Sequence, residues 1–260
     1  MSLVALPREL RDIVYDYALT EDNGLILKKR DLAPSDLSPP SFVALRHDYF
    51  RKEANQLKYV CRQLYHETKG RELRLNKVTA AYSRWPGRES QVENFELFLQ
   101  TCSPFYRCKL RRVVLWQKVN LGELRNPYFD DTGLSLGGVH ETIPRSLVAQ
   151  FCAQQPHCQV ELRLWPFLAK TQACTWVAFG TLLQYMIHGT MPGLLSKNVE
   201  ASIEGLYSRL DLLPIPRNLR IFPEALPADV DDTADLRATW HRNNKAQLCA
   251  QIRTWCENGF

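Results

Sequence analysis

The chain has 260 residues and a formal charge of +5, with 45% hydrophobic, 23% charged and 10% aromatic residues. That balance excludes wholesale disorder, a collagen repeat and a coiled coil, and a compact chain of this size buries roughly 70% of its unfolded surface in a self-sufficient core. The charge is uneven: residues 1–125 carry 22 Lys and Arg against 15 Asp and Glu, and residues 126–260 carry 11 against 13.

Pro7 opens the first predicted helix, where a missing N–H costs little. Apolar residues recur at Leu6, Leu10, Ile13, Val14, Tyr17 and Ala18 as a helical stripe, which is expected to face the core. Asp22-Asn23-Gly24 ends the helix. Gly24–Lys29 follows as a short strand and Asp31–Ser41, with three prolines, as a loop. Asp48–Leu75 carries the stripe Leu57, Val60, Cys61, Leu64 and Tyr65, and is expected as one long helix or two abutting ones. Lys77–Tyr82 is a predicted strand, Trp85-Pro86-Gly87-Arg88 a turn, and Gln91–Thr101 an amphipathic helix.

A pattern then repeats. Phe98–Pro104 leads into Cys108–Trp116, and Phe151–Pro156 leads into Cys158–Trp165. Each unit is a helix end, a proline turn, a cysteine and a β-rich run closing on tryptophan. Leu213–Phe222 is a weaker third copy. Helix–strand units in series imply parallel strands covered by helices. The expected fold class is α/β, or α+β: a short, largely parallel sheet built from helix–strand units with covering helices, a helical N-terminal motif and a C-terminal helix. Asn126–Val139 is a predicted surface loop, Thr175–His188 an apolar helix and Ala234–Glu257 a terminal helix. Residues 1–222 are expected to form one domain, 223–235 a linker, and 236–260 a helix packed on that domain.

No apolar stretch reaches the roughly 18 residues of a membrane span. The opening Met1–Leu10 has neither the basic nor the long apolar region of a secretory signal. A cytoplasmic or nuclear chain is expected, with its eight cysteines as thiols. Cys102 and Cys108, like Cys152 and Cys158, are six apart, and Cys249 and Cys256 are seven apart. Structural zinc typically takes a ligand pair about two to four residues apart. The cysteines are expected to fill core space as small hydrophobes, Cys61 among them with Tyr59, Val60 and Leu64 as its flanks.

The sequence contains no G-x-G-x-x-G and no G-x-x-x-x-G-K-[ST] loop. Asp130-Asp131 and Asp231-Asp232 sit in predicted loops without a partner. No catalytic residue, cofactor or metal ligand is expected, and the chain reads as non-enzymatic. The residual route to a thiol or metal enzyme is Cys61, Cys102 or Cys174 with a distant His66, His140 or His188. Binding is the alternative to catalysis. Tyr128 and Phe129, in the long loop, are candidate protein-binding residues. Arg107, Lys109, Arg111 and Arg112, beside Tyr106, form a basic segment of the kind that binds single-stranded nucleic acid by stacking and charge.

Two motifs carry a resemblance. Leu6–Leu19 follows L-P-x-E-[LI]-R-x-x-[IV]-[YW]-x-x-[AL]-L, and Leu57–Thr68 follows L-x-x-[TV]-C-R-Q-[IL]-Y-x-E-[AT]. Together they resemble fungal F-box-like proteins and their relative, the two-E-x-R domain, over residues 1 to about 80; the L-R-R-V-V-L run within Phe98–Trp116 is similar too. The resemblance implies a helical L-P motif, here Leu6, Pro7 and Leu10, that docks on the Skp adaptor of a ubiquitin ligase while the rest of the chain recruits substrates. Gly24–Lys29 and Asp31–Ser41 interrupt what would be a three-helix F-box. Arg8 and Asp12 are four apart on the first helix, as are Asp12 and Asp16. Arg11 is placed to meet Glu67, and Arg62 with Glu67 or Glu9 is a candidate bidentate pair joining the two motif helices. The function expected is a non-enzymatic intracellular protein-interaction module, with nucleic-acid binding through the basic half as the alternative.

Overall fold

The computed structural model describes residues 3–28, 41–44, 53–80, 91–117, 146–164, 173–190, 193, 201, 215–223 and 245–260. Tyr128, Phe129, the turn at Trp85–Arg88, the loop Asn126–Val139, both aspartate pairs and residues 224–235 of the predicted linker lie outside the described residues. The helices are α1 (Arg8–Leu19), α2 (Arg62–Thr68), α3 (Arg71–Leu75), α4 (Gln91–Thr101), α5 (Pro104–Arg107), α6 (Leu147–Gln154), α7 (Ala173–His188) and α8 (Lys245–Asn258). The strands are β1 (Leu25–Lys28), β2 (Ser41–Ala44), β3 (Lys77–Ala80), β4 (Arg112–Gln117), β5 (Gln159–Leu164) and β6 (Leu219–Pro223).

The six strands form one mixed, mostly parallel sheet in the order β2-β1-β3-β4-β5-β6, the α/β class expected. β1 runs parallel to β3 and β3 parallel to β4, so Leu25, Val78 and Val113 fall in one row across three strands, all buried. β4 buries Val113, Val114 and Leu115 in succession, the run of a strand covered on both faces. β2 was not legible in the sequence. It is four residues long and borrows its order from β1, pairing antiparallel from Lys28↔Ser41 to Leu25↔Ala44.

By its contacts the chain divides into two compact units, Met1–Leu115 with Gln155–Val160, and Trp116–Gln154 with Glu161–Phe260. In the first, α4 buries Phe95, Phe98 and Leu99. Phe98 meets Phe42 edge-on at 5.4 Å and stacks on Phe95 at 5.9 Å. In the second, α6 buries Val148, Ala149, Phe151 and Cys152. The terminal helix α8 packs beside β6: the Phe260 N–H donates to the Ile221 carbonyl at 2.9 Å, and buried Trp255 donates Nε1–H to Gln184 Oε1 on α7 at 2.8 Å.

Between α1 and β1 the chain turns at Glu21–Gly24, with the Gly24 N–H donating to the Glu21 carbonyl at 2.8 Å. Gly24 has φ +76°, and a Cβ there would stand 2.4 Å from the Lys77 carbonyl oxygen. Only glycine lets the chain pass β3 this closely.

Three expectations are corrected. In the described part of Asp48–Leu75 the two abutting helices of the expectation hold only over Arg62–Leu75, and the segment before them is not α-helical. Extended backbone at Cys61 (φ −160°) and left-handed backbone at Gly70 (φ +71°) break the stretch into a 3-10 turn at Leu57–Tyr59, α2 and α3. Cys61 is exposed, and so are its neighbours Tyr59 and Val60, so this thiol fills no core; Cys152 and Cys158 are buried. Finally, the stripe assigned to the core on α1 faces outward. Leu10, Ile13, Val14 and Tyr17 are exposed, Ile13 by 66% and Tyr17 by 88%. The helix buries Tyr15 and Leu19 instead, against Leu64 and beside Leu3, Val4, Leu57 and Leu75. At roughly 100° per residue, Tyr15 and Leu19 lie on the side opposite that stripe. The reason is polar: the flanks of the Tyr15 side carry Arg11, Asp12 and Asp16, which find their partners on α2 and α3.

Candidate functional site

The two motif segments meet in a charged clamp on α1. Arg11 Nε donates to Glu67 Oε2 at 3.0 Å and a terminal guanidinium nitrogen donates to Oε1 at 2.7 Å. This fork-on-fork pair joins α1 to α2 as the spacing suggested, and such bidentate contacts fix orientation as well as adding energy. The Tyr15 hydroxyl donates to Glu67 Oε2 at 2.6 Å and Gln63 Nε2 to Oε1 at 3.1 Å. Arg11 also reaches the carbonyls of Leu6 at 2.6 Å and Val4 at 3.4 Å, which ties the segment before α1 into the same knot. Hydrogen bonds from Arg11 and then Tyr15 hold the Glu67 carboxyl down at about 2. A carboxylate held so low stays ionised near neutrality, with both oxygens taken up by hydrogen bonds.

A second arginine closes the other flank. Arg71 Nε donates to Asp16 Oδ1 and a terminal nitrogen to Asp12 Oδ1, both at 2.6 Å, while its third nitrogen donates to the Asp12 carbonyl at 3.0 Å. Its guanidinium carbon lies 5.6 Å from the Tyr15 ring centroid. The Arg71 bonds hold Asp12 below its ordinary range, and Asp16 and Asp12 hold Arg71 above its own. Arg8 adds an exposed pair with Asp12 at 3.0 Å, four residues apart. Arg62, expected to pair with Glu67 or Glu9, pairs with neither and is exposed at the start of α2.

The end of α1 is stapled separately. Buried Asn76 donates Nδ2–H to the Leu19 carbonyl at 2.6 Å and to the Glu72 carbonyl at 2.8 Å, and its Oδ1 accepts the Glu21 N–H at 2.7 Å. One side chain thus satisfies groups left open where two helices end. Buried Asn55 donates to the Thr68 carbonyl at 2.9 Å and to Glu72 Oε2 at 3.0 Å, which fastens the segment before α2 to α3. Burial pushes the Glu72 carboxyl up.

With its inner side clamped, α1 presents Leu10, Ile13, Val14 and Tyr17 to solvent as one apolar stripe. Of the residues named from the L-P motif, Leu10 belongs to this stripe, Pro7 is exposed at the helix start and Leu6 is half-buried with its carbonyl engaged by Arg11. The basic segment is dispersed in its duties. Arg107 donates Nε–H to the Cys102 carbonyl at 3.0 Å, Lys109 lies over Phe105, the exposed Arg111 lends its carbonyl to Gln159 N–H at 2.8 Å, and Arg112 is exposed on β4 opposite Lys77. Arg71, Asn76 and Tyr15 went unread in the sequence, and Asp16 was read only by its four-residue spacing from Asp12. The signal for Tyr15 was its four-residue spacing from Leu19. Arg71 and Asn76 lie in a short stretch with no periodicity of their own.

Among the described residues no group of three His, Cys, Asp or Glu is placed to hold a metal ion. Among the same residues no helix is long and apolar enough to cross a membrane. No family model, curated protein or solved structure matches the chain.

Proposed function

We propose that this protein is a non-enzymatic protein-interaction module whose docking element is the outer face of α1. The observation that carries the reading is the exposed stripe Leu10, Ile13, Val14 and Tyr17. Contiguous exposed apolar surface on a soluble chain marks an interaction site. Positions i, i+3, i+4 and i+7 on one helix are the anchor pattern of a helix received by an apolar groove. The clamp supports the same reading, because Arg11, Glu67 and Arg71 fix the helix from behind and leave the stripe preorganised for binding.

The partner proposed is another protein, with the Skp adaptor of a ubiquitin ligase as the first candidate. The resemblance of the two motif segments to F-box-like and two-E-x-R proteins supports that choice, and the stripe begins within the L-P motif. On this reading the protein works in the cytoplasm or nucleus and uses its remaining surface to recruit what the ligase modifies. The test is a pull-down of the full chain with purified Skp adaptor, run beside Ile13→Asp and Tyr17→Ser. Retention of wild type with loss in both variants supports the reading. No retention of wild type that is folded by circular dichroism removes the ubiquitin-ligase partner.

A further inference from the structure

The end of α2 and the short helix α5 bring two cations onto one exposed ring. Lys69 Nζ lies 5.0 Å from the Phe105 ring centroid and Lys109 Nζ 5.2 Å from the same centroid. Lys69 is also 5.5 Å from the Tyr65 ring and 5.7 Å from the Tyr106 ring. Phe105 and Tyr106 meet edge to face at 5.3 Å, and Phe105 is 43% exposed. The two ammonium groups are therefore within about 10 Å of each other, about a Debye length at physiological salt. Neither pairs with a carboxylate among the described residues, although carboxylates neutralise Arg11, Arg71 and Lys58.

The fold builds this convergence. Gly70, with φ +71°, ends α2 so tightly against α5 that a Cβ on it would touch Lys109 Cγ and the Phe105 and Tyr106 rings, each at 3.4 Å. Arg107 Nε–H on the Cys102 carbonyl, and the ring of His157 at 3.1 Å from the Cys108 carbonyl, hold the backbone on either side of the cluster. The surrounding sequence keeps the sign: Thr101–Arg112 holds four basic residues and no acidic one.

We propose that this surface binds single-stranded nucleic acid, with Phe105 as the stacking platform and Lys69 and Lys109 as the phosphate contacts. The inference goes beyond the docking role of α1 and uses none of its outer residues. Convergent like charges with no carboxylate partner among the described residues call for an anion. An exposed aromatic among them calls for a flat, polarisable partner. A nucleotide chain supplies both at the spacing of one residue, whereas an acidic peptide supplies only the first. The contacts that now hold the lysines on the ring are weak, about 0.5–1 kcal/mol each at exposed sites. An arriving phosphate draws an ammonium off the ring and leaves that face open for a base.

The experiment is fluorescence anisotropy of labelled oligo(U) and oligo(dT) titrated with the full chain between about 50 and 200 mM salt. Both arms report binding to single strands, and their ratio tells whether the site prefers RNA or DNA. Phe105→Leu is expected to weaken binding about tenfold, within the range of one lost stacked base. Lys69→Gln and Lys109→Gln are each expected to flatten the dependence of log Kd on log salt by about 0.7. The two lysine variants alter half-buried surface side chains and keep the test sound if Phe105→Leu melts early. The proposal is overturned if folded wild type shows no saturable binding at the lowest salt. It is equally overturned if Phe105→Leu, or both lysine variants, bind as wild type does. Polyglutamate competing as well as oligo(U), with the same loss in Phe105→Leu, would assign the site to an acidic protein instead.

Discussion

Arg11 and Glu67, fifty-six positions apart, meet through two parallel hydrogen bonds of 3.0 and 2.7 Å. Both side chains are nearly out of solvent, at 12% and 10% exposure, so removing one strands the other. Arg11→Ala is expected to cost about 2 kcal/mol, a fall in Tm of about 4–8 °C. Arg62→Ala, at an exposed site, should stay within about 0.5 kcal/mol of wild type. Thermal unfolding of both, with a double-mutant cycle on Arg11 and Glu67, checks the assignment; a coupling near zero would contradict it.

The same pair sets an acid dependence. Arg11 and Tyr15 lower the Glu67 carboxyl from 4.5 to about 2 in the folded state, so the unfolded state binds the proton first. The stabilisation is fully present above about pH 4.5 and is lost as the pH falls towards about 2. Asp12, lowered by Arg71, acts in the same direction. Urea unfolding of wild type and Glu67→Gln should therefore differ most above pH 5 and converge near pH 2. Glu72, raised by burial, has the opposite sign, so Glu72→Gln should lose nothing at neutral pH that wild type keeps.

Mutation separates the two sides of α1. Ile13→Ser and Tyr17→Ser alter solvent-facing side chains and should leave the unfolding midpoint within about 0.5 kcal/mol of wild type. Leu19→Ala empties a fully buried site and should cost about 2–5 kcal/mol. Equal losses at Ile13 and Leu19 in denaturant titrations would return the outer stripe to the core.

Gly24→Ala places a methyl group against the Lys77 carbonyl oxygen at a left-handed backbone position. A loss of at least about 2 kcal/mol is expected in chemical denaturation. Gly24→Asn should recover none of it, because the clash is with backbone.

Thiol labelling reads the cysteine environments directly. Cys61 is exposed and should react with a maleimide in the native protein. Cys152 and Cys158 are buried, and burial pushes the Cys158 thiol up to about 12. Both should stay unlabelled until denaturant is added. Cys102 and Cys256, pushed up to about 11 by burial, should label slowly. Mass spectrometry of labelled peptides assigns the order.

The sheet was legible where hydrophobic runs were strong. β1, β3 and β5 fall within segments read as strands, β4 and β6 overrun theirs by one residue, and the repeated helix–strand unit points to parallel pairing. β2 was not, because four residues after a proline pair carry too little pattern and take their order from β1. Arg11–Glu67 was legible because both residues sit in motif helices with complementary charge. The direction of α1 was not. Counting apolar residues favours the side with Leu10, Ile13, Val14 and Tyr17, but the helix turns by where its charges find partners. Those partners, Arg71 on α3 and Asn76 just after it, lie far along the chain in a stretch without periodicity. The Lys69–Phe105–Lys109 cluster was half visible: the basic segment stood out, but the lysine from α2 joins it only through the backbone turn at Gly70.

Glu67, Arg71 and Asn76 all come from one ten-residue span, so both clamps and the staple travel together in the chain. The apolar stripe on α1 is consequently not a portable epitope. Grafted alone onto another scaffold, residues 8–19 would keep their side chains and lose their aim. Carried with Glu67–Asn76 they would bring their polar anchors but still lack Leu64, on which Tyr15 and Leu19 rest.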